Sequence, residues 1–153
     1  LGLKAAAFYE RAGKPDLAVN AYERVIELAP RSAAPHNNLA YLLGEQGKLD
    51  EALPHALRAQ ELAPNHPGVL DTLGWIRFLN GQTEEAVPLL EAAAEGLAEE
   101  PEVLFHLAKA YVESGRSEEA QELLSRALEQ HSEFKSREEA LKLRGGQPSP
   151  STN

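Results

Sequence analysis

Small and apolar residues recur along this chain at a step of 34. Sliding the sequence by that step aligns Leu39, Leu73 and Leu107, and beside them Ala40, Gly74 and Ala108. The same shift aligns Gly47, Gly81 and Gly115, then Ala52, Ala86 and Ala120, then Ala59, Ala93 and Ala127, and even Pro54 with Pro88. A partial first copy holds Ala6, Tyr9, Gly13, Ala18, Tyr22 and Pro30. In each copy two amphipathic segments flank the glycine, which predicts a pair of helices joined by a tight turn.

Each column has a physical reason. Small residues at 40, 74 and 108 and at 52, 86 and 120 belong where two antiparallel helices approach most closely, since a larger side chain would push them apart. Ala59, Ala93 and Ala127 let the second helix pack on the next repeat. The glycines suit the left-handed residue that ends a first helix. Asp50-Glu51, Glu84-Glu85 and Glu118-Glu119 follow, placing acids where a helix dipole favours them. Pro30 and Pro64 end second helices. The third copy departs from this, with Ala98 in the proline column, Gly96 before it and Pro101 after it. Its second helix is expected either to end early or to run on into "LAEE". Pro54 and Pro88 fall near the starts of second helices, where few backbone donors are lost and at most a mild bend is expected.

The predicted helices cover about 2–12 and 15–29, 34–46 and 49–62, 67–80 and 83–96, and 101–114 and 117–130. A shorter amphipathic segment, 135–144, is expected to cap the apolar face of the fourth pair, as stacked repeats require. "GGQPSPSTN", 145–153, reads as a flexible tail. Because the chain starts at Leu1, partway into a repeat, and holds no methionine, it is read as a fragment with further repeats ahead.

These columns resemble the tetratricopeptide repeat family, a 34-residue helix-turn-helix unit, over about residues 1–130. "NNLAYLLGEQGKLDEALPHALRAQELAP" meets nearly every signature position. The resemblance implies an all-α fold, a right-handed α-solenoid of four repeats (about 1–32, 33–66, 67–100 and 101–134) with a C-terminal capping helix, forming one domain, 1–144. It also implies a protein-interaction scaffold whose first helices line a concave groove for a partner peptide or helix. Residues from "LDTLGW" to "FKSREEALKL" look most like bacterial repeat proteins of envelope assembly and exopolysaccharide export. This sets a lean towards the bacterial cell envelope or periplasm over the cytoplasm.

Carried over position by position, the groove columns hold Asn37, Asn38 and Tyr41 in the second repeat. The third holds Asp71, Thr72, Trp75 and Phe78, and the fourth Phe105, His106, Lys109 and Val112. Lys4, Ala7 and Arg11 come from the shortened first. Trp75, Phe78 and Phe105 would form an apolar contact patch flanked by Asn37, Asn38 and Asp71, aromatic groups being common anchors of interfaces. The alternative is that Phe78 and Phe105 pack between helices as core. The repeats that clamp chaperone C-termini use lysine, arginine and asparagine at defined columns. Here those columns hold Asn37, Tyr41, Thr72, Glu102 and His106, and Glu102 has the wrong charge, which argues against that subtype.

Composition narrows the partner. The formal net charge is −9, and no Lys/Arg run offsets it, which disfavours nucleic acid and anionic membrane and favours a basic or neutral protein. Glu84, Glu85, Glu91, Glu95, Glu99 and Glu100 read as a solvated acidic outer face. No apolar stretch approaches the roughly 18 residues of a membrane span. There is no cysteine, so disulfides and thiolate metal sites are excluded.

No HExxH, P-loop, GxGxxG or GxSxG occurs, and no two of the five histidines are spaced four apart. Asp71 and His106 could meet across adjacent first helices, but nothing beside them supplies a nucleophile or an oxyanion site. The sequence therefore predicts neither catalysis nor a cofactor nor a metal. It leaves open self-association into a homo-oligomer, or service as an appendage of an enzyme encoded outside this stretch.

Overall fold

A computed structural model describes residues 2–146, all of whose regular elements are helices. They are α1 (Gly2–Arg11), α2 (Pro15–Leu28), α3 (Ala33–Glu45), α4 (Leu49–Leu62), α5 (Pro67–Leu79), α6 (Thr83–Gly96), α7 (Pro101–Glu113), α8 (Ser117–Gln130) and α9 (Arg137–Gly146). The first eight form four antiparallel pairs, each stacked on the next. The expected tail lies outside the described residues from 147 onward, while Gly145 and Gly146 are helical.

The turns follow from backbone sterics. Gly13, Gly47, Gly81 and Gly115 take φ of 66°, 75°, 78° and 78°, the left-handed region that other residues enter at a cost. Each reverses the chain after a first helix, and the next helix opens with acids: Asp16 in α2, then two each in α4, α6 and α8. α6 ends at Gly96 and does not run on. A Cβ on Gly96 would lie 2.3 Å from Pro67 Cγ, so this glycine lets the end of α6 abut the start of α5. Pro54 and Pro88 are accommodated inside α4 and α6.

The small-residue columns sit at the closest approaches. Ala40, Ala52, Ala59, Ala86, Ala93, Ala108, Ala120 and Ala127 are fully buried. A Cβ on Gly74 would stand 2.8 Å from Leu90 Cγ, so α5 and α6 meet at a spacing only glycine permits. The core has two clusters that divide along α5. Leu73 and Ile76 join one with Leu39, Leu43 and Tyr22, and Trp75 joins the other with Leu104, Phe105 and Leu124. α9 closes the stack on α8 through Ala140, fully buried, and Gln121 donates to the Arg144 carbonyl at 3.0 Å.

Successive first helices touch, α3 with α5 and α5 with α7, whereas successive second helices have no comparable contact. The stack therefore closes on the first-helix side, which makes that side concave.

A histidine pair joins α3 to α4. His36 Nε2 lies 3.3 Å from the Pro30 carbonyl and can only donate to it, leaving Nδ1 as the acceptor of a neutral ring. His55 then donates through its own Nδ1, 3.1 Å away. Burial, then the neighbouring His36, lowers the His55 pKa below 6.5, with Glu23 opposing them. In the window between 6.5 and that lowered value, the unfolded chain binds a proton that the folded chain refuses. The stabilisation is thus complete above 6.5 and is lost as pH falls through the window. Urea midpoints are expected to drop from pH 8 to pH 5, and by less in His55→Gln; equal drops in both would remove this pair as the cause.

Candidate functional site

Every residue of the expected groove lies on a first helix, α1, α3, α5 or α7, but the structure sorts them by accessibility. Phe105 is 1% exposed and Trp75 7% exposed, both within the core cluster. The expected open patch is therefore not a surface here, because Phe105 packs between helices and takes Phe78 with it as a half-buried neighbour. The aromatic rings still form one assembly. Trp75 stacks on His106 with centroids 4.1 Å apart and on Phe78 at 5.3 Å.

The polar members are largely engaged within the fold. His106 Nδ1 lies 2.9 and 3.0 Å from the two Asp71 carboxylate oxygens, with both residues buried. A carboxylate only accepts, so His106 carries a proton on Nδ1. The pair does meet across adjacent first helices, yet among the described residues no hydroxyl hydrogen-bonds to that ring. The Thr72 hydroxyl donates to the Gly68 carbonyl at 3.0 Å, one turn back in its own helix. Asn38 lies at the Tyr22 hydroxyl, which donates to Glu10 at 2.8 Å. Asn37 Oδ1 is buried without a partner. Lys109 borders a depression shared with Glu139, Lys142 and Leu143 of α9, so it faces the cap.

Tyr41 shows the charge of this face. Its pKa is pushed up by burial first, then by the charges of Glu45, Glu102, Asp71 and Glu10. These carboxylates come from α3, α7, α5 and α1, so every first helix contributes an acid near one tyrosine.

The sequence reading missed what answers that charge. The cap helix starts at Arg137, two residues later than expected, because Lys135 and Ser136 are drawn onto the concave face. The Lys135 ammonium pairs with Glu45 and stands 5.0 Å from the centre of the Tyr41 ring. The Ser136 backbone N–H and hydroxyl donate to the two oxygens of Glu102, at 2.6 and 2.8 Å. Phe134 packs against the cluster that holds Trp75 and Phe105. Trp75 Nε1–H donates to Glu45 at 3.2 Å. Burial opposes ionisation of Glu45, but hydrogen bonds from Lys135 and Trp75 and the charges of Lys135 and His106 outweigh it and hold its carboxyl below the usual range. Glu102 was legible as a charge out of place in its column; Lys135 and Ser136 belong to no repeat column and carried no signal.

Among the described residues no group of three or more His, Asp or Glu is placed to hold a metal ion, and no helix is long and apolar enough to cross a membrane.

The chain is similar in fold to several solved proteins. A thermophilic tetratricopeptide protein of Thermus thermophilus matches with a TM-score of 0.72 and 23% identity, over 90% of this chain and 77% of that one. MamA of Desulfovibrio magneticus RS-1 matches at 0.68 and 19%, over 92% and 85%. YrrB, described as a tetratricopeptide protein with an unusual peptide-binding site, matches at 0.68 and 18%, over 94% and 73%. No curated protein gives a significant match. Family models described as tetratricopeptide repeat match residues 2–32, 31–99 and 77–144, one after another along the stack. With those matches, the 34-residue period and the four stacked helix pairs, the chain belongs to the tetratricopeptide-repeat family.

Proposed function

We propose that this chain is a non-catalytic binding module whose concave face takes a basic segment of a partner protein. The observation that carries this is the gathering of Glu10, Glu45, Asp71 and Glu102 around Tyr41, one acid from each first helix. Such a lining, walled by helices, concentrates negative potential and attracts cationic side chains. The aromatic assembly behind it acts as a rigid floor, and Tyr41, half-buried, offers a ring face to an ammonium or guanidinium group. Envelope proteins are the first partners to test, on the sequence likeness of the third and fourth repeats.

Panning a random-peptide display library tests the reading. Binders rich in lysine and arginine, released by raising the salt concentration, are the expected result. Recovery of acidic or purely apolar binders alone would overturn it.

A second reading, self-association, is favoured by the α1–α2 end of the stack. Phe8 is 59% and Leu28 82% exposed there, with Leu3 and Leu17 also exposed. Apolar side chains gathered at one end suit contact with another helix pair. A mass by light scattering that stays monomeric at high concentration would set this reading aside.

A further inference from the structure

The concave face is not bare, because the chain lays part of itself on it. Between α8 and α9 the connector makes a turn in which the Arg137 N–H donates to the Phe134 carbonyl at 3.1 Å. That turn presents three consecutive side chains to three different features. Phe134 packs against the core cluster to which Trp75 and Phe105 belong, Lys135 reaches Glu45 on α3, and Ser136 places both its backbone N–H and its hydroxyl on Glu102 of α7. Lys135 and Glu45 are 90 residues apart in sequence, so this contact spans the groove and is not a local consequence of the helix that follows.

The two acidic contacts read different chemistry. Glu45 accepts from the Trp75 indole at 3.2 Å, which orients its carboxylate towards the cation and leaves room for one further donor. Glu102 takes two donors from a single residue, an N–H and a hydroxyl, an arrangement met by serine or threonine and by no acidic or aliphatic residue. A groove that reads aromatic, lysine and hydroxyl in succession is a built recognition site, and its occupant in this structure is tethered to it.

We propose that the concave groove is a receptor for a turn-forming peptide carrying an aromatic residue, a lysine and a serine or threonine in succession, that Phe134–Lys135–Ser136 occupies it in cis, and that a partner segment of the same chemistry binds by displacing it. The proposal rests on the groove-binding reading above and names its ligand and its control. The cis segment is covalently attached, so its effective concentration is on the order of millimolar. A free peptide making the same contacts must outcompete it, and its apparent affinity falls by the fraction of molecules whose groove is open. Loosening the connector raises that fraction without touching the groove.

The test is a titration of the full chain with an acetylated, amidated peptide of residues 131–137, read by the fluorescence of Trp75, the sole tryptophan, and by calorimetry. Lys135→Ala alters an exposed side chain and leaves the groove intact; Ser136→Ala removes one of the two donors to Glu102 and serves as a second, milder variant. The peptide is expected to bind Lys135→Ala at least about tenfold more tightly than wild type. Adding Glu102→Gln to Lys135→Ala is expected to abolish the gain. Equal affinity for wild type and both connector variants would overturn the cis-occupancy proposal while leaving groove binding in place. No binding of this peptide to any variant, with library-derived basic peptides still binding, would overturn the ligand chemistry alone. If neither kind of peptide binds any variant, the groove reading falls with the proposal.

Discussion

Phe105→Ala is expected to lower stability by about 3–5 kcal/mol, the usual cost of truncating a fully buried phenylalanine. At 1% exposure the ring lies inside the cluster formed by α5, α6, α7 and α8, with Trp75 at 6.3 Å and His106 at 6.2 Å between ring centroids. Removing it leaves a cavity that neighbours fixed by Ala108 and Leu104 cannot collapse into. In a chain of this size the loss translates to roughly 6–20 °C in melting temperature. Thermal unfolding followed by circular dichroism measures it. A change below about 2 °C, well under what such a cavity produces, would mean that Phe105 faces outward after all and belongs to a contact surface. The same experiment therefore decides between the two roles that sequence alone left open for this residue.

Asp71→Ala is expected to cost about 3 kcal/mol, because it strands the proton on His106 Nδ1 in a buried position with no acceptor. His106 is 2% exposed, and both Asp71 oxygens lie within 3.0 Å of that nitrogen. Asp71→Asn, which keeps one oxygen acceptor, is expected to lose less. Replacing both partners by leucine is expected to recover much of the loss, since the uncompensated polar group is then gone. Urea denaturation of wild type, Asp71→Leu, His106→Leu and the double leucine variant closes the double-mutant cycle. A double variant as unstable as Asp71→Ala would show that the destabilisation comes from packing and not from the unpaired donor.

Both experiments concern residues whose column was legible and whose role was not. Trp75, Phe105, Asp71 and His106 were assigned to first helices by the 34-residue step, and that is where they lie. Their burial was not assigned, because a first helix in a stack is bordered by its own partner, the preceding pair, the following pair and the groove. Periodicity separates apolar from polar faces, but it does not separate a groove from a helix-helix seam when both carry aromatics. The eight repeat helices differ from their expected bounds by no more than one residue at either end, since glycine, proline and acidic first turns mark them locally. The cap helix also has an acidic first turn, Glu138 and Glu139, but it begins at 137 and not at 135, and the two residues before it make long-range contacts instead.

By itself, then, the sequence determined the repeat, its four pairs, the turns and the small residues that set helix spacing. All of these are written in side-chain size and backbone freedom within 34 residues. Only the tertiary structure decided that Trp75 and Phe105 are buried, that each first helix brings an acid to one place, and that Lys135 and Ser136 answer those acids. These depend on where the curve of the stack carries residues far apart in the chain. The Lys135–Glu45 contact bridges 90 residues, a separation at which local pattern holds no information.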